Sequence, residues 1–309
     1  MTKPVAAAKG FLVGHWTDAA GATGCTAVIA PPGSRAGVDV RGGGPGTRET
    51  EVIGPLAGTG EVTAVMLTGG SAYGLAAADG AMRWCEQQGR GYVTPAGIVP
   101  IVPAAVIYDL AAGDPEARPA ADDGYSACEA ARGGVPQTGR VGAGTGAGVG
   151  KILGRGRGAD GGVGYASGQT GTGITVAAIA VVNAFGDVVG TGGEVLAGPV
   201  GEAGETLRTA QLIAAMQEPP DWPQLEERNT TLVCVMTDAA LDKSACTRVA
   251  RMASAGVARA VDPVFSDVDG DVAFCVASGL PVRSDRFASL AVGTLAATLT
   301  AAAIRDAVS

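Results

Sequence analysis

The sequence predicts a layered α/β fold in which buried strands feed helices, and three observations predict it. Short apolar runs rich in Val, Ile and Thr alternate with stretches whose apolar residues recur at helical spacing. The composition is 47% apolar and only 17% charged over 309 residues, enough to bury a substantial core. Fifty glycines punctuate these runs, as expected of sheet-rich architecture with tight turns and close backbone approaches. Length alone leaves one large domain or two open.

Along the chain, TAVMLTGG (63–70) reads as a strand ending in glycines, and SAYGLAAADGAMRWCEQQG after it as a helix packed on a sheet. Ser71 fits a hydroxyl at the start of that helix; it fails the G-x-S-x-G nucleophile elbow because Tyr73 stands where the second glycine belongs. ITVAAIAVVNAFGDVVG (174–190) is β-rich and broken by Asn-Ala-Phe-Gly-Asp, which predicts a hairpin or a strand-to-strand turn. Residues 198–228 are rich in charge and proline and read as a mobile surface linker. TLVCVMTDAAL (231–241) is another buried strand, DKSACTRVARMASAGVARAV (242–261) a helix, DVAFCVASG (271–279) strand-like, and RFASLAVGTLAATLTAAAIRDAVS (286–309) a C-terminal helix.

The charge balance of 22 basic against 30 acidic residues, net −8 and without basic clusters, argues against nucleic acid as a partner. No window holds about 20 uninterrupted apolar residues, and the N-terminus lacks a signal-peptide pattern, so the expectation is no membrane span and a cytoplasmic location. Six cysteines at 25, 85, 128, 234, 246 and 275 lack C-x-x-C spacing and read as reduced, buried small hydrophobes. With one histidine, His15, a zinc site is not expected.

Three motifs carry chemistry. GAGTGAGVGKI (142–152) looks like a phosphate loop, but Thr145 replaces the first glycine of the Walker pattern and Ile152 its hydroxyl, so Lys151 needs another role. Asn229-Thr230-Thr231 stands where the linker meets a strand. Such a tripeptide is an ordinary strand entry or turn; cut before Thr230, it would also give a threonine whose own α-amino group can deprotonate its hydroxyl. Asp269-Gly270-Asp271 reads as a turn or, if extended, as two carboxylates pointing the same way. The wider D-V-D-G-D run lacks the glutamate of a calcium loop.

The segments GGGPGTRET, LTGGSAYGLAAADGAMRW, GIVPIVPAAVIYDL, GAGTGAGVGK, AVVNAFGDV, RNTTLVCVMTDAAL and DVDGDVAF occur in an order in which the chain resembles the self-processing DmpA-type aminopeptidases, peptidase family S58. Within that family it is most similar to the branch of nylon-oligomer hydrolases. The resemblance implies a single domain over 1–309, an α-β-β-α sandwich of N-terminal-nucleophile type, related to ornithine acetyltransferases. It further implies autocatalytic cutting into a 1–229 α chain and a 230–309 β chain, and a homo-oligomer, a tetramer of αβ units.

Carried over by position, Thr230 matches the nucleophile and Asn229 the residue before the scissile bond. Lys151 matches an active-site lysine that positions the threonine, with the preceding glycines letting backbone approach substrate. Asn183 matches an oxyanion-stabilising amide, Asp269 and Asp271 an acidic pair that orients the nucleophile, and Tyr108 a tyrosine near the pocket. Where the β-aminopeptidase branch has a serine nucleophile with serine and glutamate, this chain has threonine and two aspartates, as the nylon hydrolases do. The implied activity is hydrolysis of peptides or nylon-type amide oligomers through an acyl-enzyme, with neither metal nor organic cofactor. The alternatives are an aminopeptidase acting on N-terminal D- or β-amino acids and an acyltransferase of ornithine acetyltransferase type.

Overall fold

The computed structural model describes residues 8–218, 229–278 and 287–309. Ten strands build two five-stranded sheets: β1 Leu12–Asp18, β2 Thr23–Ile29, β3 Arg35–Val40, β4 Thr47–Arg48, β5 Ala64–Thr68, β6 Ala104–Val106, β7 Gly162–Gln169, β8 Thr175–Asn183, β9 Thr230–Thr237 and β10 Val272–Ala277. The first sheet runs β1-β2-β5-β6-β4 and the second β7-β8-β9-β10-β3. The helices are α1 Ala77–Gln87, α2 Ala121–Glu129, α3 Thr209–Ala215, α4 Lys243–Val257 and α5 Ala288–Asp306.

The period-2 alternation of side chains sorts the second sheet into two faces. Ala177, Ile179 and Val181 of β8, with Leu232, Cys234 and Met236 of β9 and Phe274 of β10, meet Val28, Val65 and Leu67 of the first sheet to form the core between sheets. Their neighbours Val176, Ala178, Ala180 and Val182 turn outward, where α4 and α5 supply Val249, Ala253, Val292, Ala296 and Ile304. On the far side, Cys25, Ala27 and Met66 pack under Ala77, Ala81 and Cys85 of α1 and Ala127 and Cys128 of α2. The order of layers is therefore helix, sheet, sheet, helix. A strand covered on both faces must be apolar at every position, and this is why β8 and β9 read as continuous runs without alternation.

Helices α1 and α2 approach closely because Gly80 faces the Ala121 carbonyl at a point where a Cβ would lie 1.6 Å from the oxygen. The cysteines are all free and buried. By length and hydropathy α5 would suffice to cross a bilayer, yet it lies on β7 and β8 with more than half of its apolar window buried in the protein.

Of the two readings of the break at 183–187 the strand-to-strand turn holds, and the linker expectation changes in part. The break at 183–187 does not close a hairpin: β8 belongs to the second sheet, while Asp187–Val189 pairs with Val195–Ala197 and Val261–Asp262 in a separate three-stranded sheet. The turn instead moves the chain from one sheet to another. Within the 198–228 stretch, residues 209–215 form α3, whose first residue donates its N–H (2.8 Å) and its hydroxyl to the buried Asp187 carboxylate. The last part of that linker, 219–228, and the ends of two predicted elements at 279 and 286, lie outside the described residues.

Lys243, the first residue of α4, donates to the carbonyls of Val52 (2.8 Å), Ala57 (2.9 Å) and Thr59 (2.6 Å), pinning the connection between β4 and β5 to the second sheet's helical layer. Bonds from a charged donor exceed neutral ones, but Lys243 is only half-buried, so Lys243→Ala is expected to cost about 1–2 kcal/mol. The denaturation midpoint measures this loss, and amide exchange should quicken at residues 52–59.

Candidate active site

Thr230 opens β9 in the middle of the second sheet, directly opposite Asn183, the last residue of β8. A position at the mouth of a central strand is rigid and desolvated, and Thr230 is 4% exposed. Its hydroxyl donates to the carbonyl oxygen of Asn229. The same oxygen accepts the Gly270 N–H at 2.7 Å, and the Asn229 N–H donates to Val268 O at 2.9 Å, so residue 229 is held in a parallel bridge to Asp269.

Asp269, Gly270 and Asp271 run extended into β10, with the turn just before them at 267–268. Both carboxylates are buried and both are met by donors. Asp269 accepts from Phe185 N (3.3 Å), Ser266 N (3.2 Å) and Ser266 Oγ (2.5 Å). Asp271 accepts from Thr231 N (2.5 Å) and Phe265 N (3.2 Å). Burial raises the Asp269 carboxyl above its ordinary range, with the Ser266 and Phe185 bonds and the Lys151 charge opposing the rise. Burial and then the neighbouring Asp269 charge push Asp271 up to about 7.

Lys151 is 3% exposed and donates to Asn183 Oδ1 at 2.9 Å and to Asn183 O at 3.2 Å. Gly148 N–H also donates to Asn183 Oδ1, at 3.0 Å, and the Asn183 Nδ2 donates to Tyr108 O at 3.1 Å. These contacts fix which amide atom is oxygen, because Oδ1 faces two donors and Nδ2 a carbonyl. Gly150, with φ +65°, turns the chain into the Lys151 position.

A cleft of about 270 Å³ opens over Thr230, lined by Gly44, Pro45, Gly46, Ser71, Ala72, Val106 and Tyr108. The structure therefore brings Thr230, Asn229, Asp269 and Asp271 together, joins Lys151 to Asn183 opposite them, and sets Tyr108 in the wall. Two sequence expectations need correction here, and one pair of alternatives is decided. The glycines before Lys151 pack on protein rather than substrate: a Cβ at Gly146 would meet Ala22 O at 2.0 Å, and one at Gly150 the backbone of Gly198 at 2.6 Å. The glycines that do line the cleft are Gly44 and Gly46. Ser71 caps no helix; the residue before its turn is Gly70, no side-chain cap bond forms, and Ser71 itself has φ +53° on the cleft wall. Asp269-Gly270-Asp271 takes the extended alternative, not the turn.

Sequence reasoning missed Gly44–Gly46, Ala72, Ser266 and Phe265. The first two groups carry no titratable atom, although the Gly-Gly-Gly-Pro-Gly run was a visible signal. Ser266 and Phe265 act from one loop, Phe265 through its N–H and Ser266 through both its N–H and its hydroxyl, and Phe265 has φ +58° there. His15 is 2.9 Å from Thr26 Oγ1, and burial lowers its pKa to about 4, so it is neutral at pH 7.

The raised carboxyls make a prediction about stability. A carboxyl that holds its proton more tightly in the folded state favours folding below the unfolded pKa, near 4, and that contribution is lost as pH rises through the folded value, about 7 for Asp271. Asp271→Asn removes an acceptor at every pH but also removes this titration. The difference in unfolding free energy between an uncut Thr230→Ala chain and its Asp271→Asn derivative should therefore shift in favour of Asn between pH 5 and pH 8, as read by denaturant titrations. A pH-independent difference would contradict the assignment.

Known proteins are similar to this chain in sequence and in fold. An uncharacterized aminopeptidase of Mycobacterium tuberculosis is 43% identical over 312 residues, covering 96% of this chain and 88% of that protein. A 6-aminohexanoate-oligomer endohydrolase of Agromyces is 30% identical over 260 residues, covering 83% and 69%. Among solved structures, a Burkholderia β-aminopeptidase superposes with a TM-score of 0.71 at 23% identity over 99% of this chain and 88% of that one. The L-aminopeptidase D-Ala-esterase/amidase of Ochrobactrum anthropi, a variant of the Ntn-hydrolase fold, gives 0.70 at 20% identity over 99% and 86%. Those two likenesses establish the Ntn-hydrolase type of the sandwich. The model of peptidase family S58 matches residues 5–309, end to end through the strands that carry Thr230 and the two aspartates, and the chain belongs to that family of amide-bond hydrolases.

Proposed function

We propose that this protein cuts its own chain between Asn229 and Thr230 and then uses the freed Thr230 as an N-terminal nucleophile on amide substrates. The observation that carries the reading is the placement of Thr230: buried at the start of a central strand, its hydroxyl on the Asn229 carbonyl, and open to the cleft. In the cut enzyme the α-amino group takes the hydroxyl proton, Oγ adds to the substrate carbonyl, the amide C–N bond breaks as that proton passes to the leaving amine, and water hydrolyses the acyl-enzyme so formed. The Asn183 amide is the oxyanion donor of that second reaction, released from Tyr108 O when substrate enters, and the Asp269–Asp271 pair with Lys151 sets the charge around the amine. Intact masses of the wild-type chain and of Thr230→Ala test the reading: two wild-type species, 1–229 and 230–309, beside one whole mutant are expected. A mutant that still cuts ends it.

The cleft wall supports a reading of the substrate class. Its described lining is uncharged and, Tyr108 aside, small, which suits the interior of an amide chain and offers no carboxylate to an α-ammonium group. Internal or oligomeric amides are therefore the preferred class, in line with the endohydrolase relatives. The mycobacterial relatives, named as aminopeptidases, favour a second reading. N-acetylated and free-amine forms of one peptide amide separate the two: the capped form should be hydrolysed at least as fast, whereas an aminopeptidase would lose more than about tenfold on it.

A further inference from the structure

The geometry points to the backbone N–H of Gly270, rather than the Asn183 amide, as the group that receives the oxyanion when the chain cuts itself; this rests on the Thr230 reading above. Two donors meet the Asn229 carbonyl oxygen, the Thr230 hydroxyl and the Gly270 N–H, the latter at 2.7 Å, within the range of working oxyanion donors. The Asn183 amide is engaged elsewhere in the same chain. Its Nδ2 donates to Tyr108 O and its Oδ1 is filled by Lys151 and Gly148.

Gly270 is held as a fixed donor must be. The Asp269 carbonyl accepts the Gly44 N–H at 2.9 Å, the Asp271 carbonyl accepts the Arg41 N–H at 2.9 Å, and the two flanking carboxylates are pinned by the donors described above. A side chain at 270 would bring a Cβ within 2.9 Å of both Thr230 Oγ1 and Gly44 O. The position thus combines a donor aimed at the reacting carbonyl with space that only glycine leaves for the attacking oxygen. A plain strand bridge would explain the first feature and not the second.

In the reaction, Thr230 Oγ bonds to the Asn229 carbonyl carbon, and the C=O pair moves onto the oxygen already facing Gly270. Collapse breaks the Asn229–Thr230 C–N bond, and the hydroxyl proton ends on the departing Thr230 nitrogen, giving an ester. Water then adds to that ester, breaks the C–O bond and leaves the Asn229 carboxylate, with the Thr230 hydroxyl restored. Self-cutting and substrate turnover use one nucleophile but two oxyanion sites.

Replacing the Gly270 amide by an ester tests this on the full chain. Residues 1–245 are ligated at Cys246 to a synthetic 246–309 segment carrying either glycine or glycolate at 270, and cutting is followed by intact mass after refolding. The glycolate chain should cut on the order of 100-fold more slowly than the all-amide chain; cutting within about threefold of it overturns the assignment. Should the glycolate chain not refold, amide exchange in uncut Thr230→Ala decides: the Gly270 N–H should be protected, and free exchange overturns the proposal. A Thr230→Ala chain that cuts would fail the threonine reading itself. An uncut one beside a normally cutting glycolate chain fails only the Gly270 assignment.

Discussion

Thr230→Ala is expected to yield one uncut chain of 309 residues and to lose amide hydrolysis by on the order of 10⁴-fold or more. Both losses come from one atom. The hydroxyl is the only part of the side chain that can bond to a carbonyl carbon, and without cutting no α-amino group appears beside it. The substitution itself is mild: it deletes a buried hydroxyl whose acceptor, the Asn229 carbonyl, keeps its bond from Gly270. The fold should therefore persist, as circular dichroism and the denaturation midpoint can show, and the loss will report chemistry rather than unfolding. Thr230→Ser keeps hydroxyl and amine and should cut, more slowly because the methyl that restricts χ1 is gone. An Ala variant that hydrolyses amides at the parent rate would place the nucleophile elsewhere.

The layers were legible because burial writes itself into composition. A strand covered by a second sheet on one face and by helices on the other must be apolar along its covered length, and the segments at 176–182 and 232–236 are. Helix α4 was legible for the complementary reason, since only one of its faces meets the sheet. Which sheet the strand after the turn at 183–187 would join was not. Whether a strand folds back on itself or passes to another sheet depends on what docks on the turn, here Lys151 N–H on Phe185 O at 3.2 Å, Gly150 N–H on Gly186 O at 3.0 Å and Phe185 N–H on Asp269. Those partners are distant in sequence and leave no local mark. The site divides along the same line. Residues with titratable or nucleophilic atoms could be singled out, whereas Gly44, Ala72 and Gly270 contribute backbone and space. In a chain with 50 glycines nothing local separates a glycine that opens a cleft from one that lets two strands touch.

Lys151→Met should slow self-cutting by on the order of 10²–10³-fold and move the acid limb of its pH profile upward. The direction follows from charge. The Lys151 ammonium opposes the burial that raises Asp269, so its removal makes the ionised carboxylate still harder to form and the pair must wait for higher pH. Methionine fills nearly the same volume, and Lys151 is 3% exposed, so packing changes little while the bonds to Asn183 disappear. Lys151→Arg separates the two contributions: it keeps the charge, and hence the position of the limb, even if its larger head slows cutting. A Met variant that cuts slowly on an unshifted profile would reduce Lys151 to a prop for Asn183. One that cuts at the parent rate would remove it from the machinery, and the burial of a lysine against Asn183 would then need a purely structural cause.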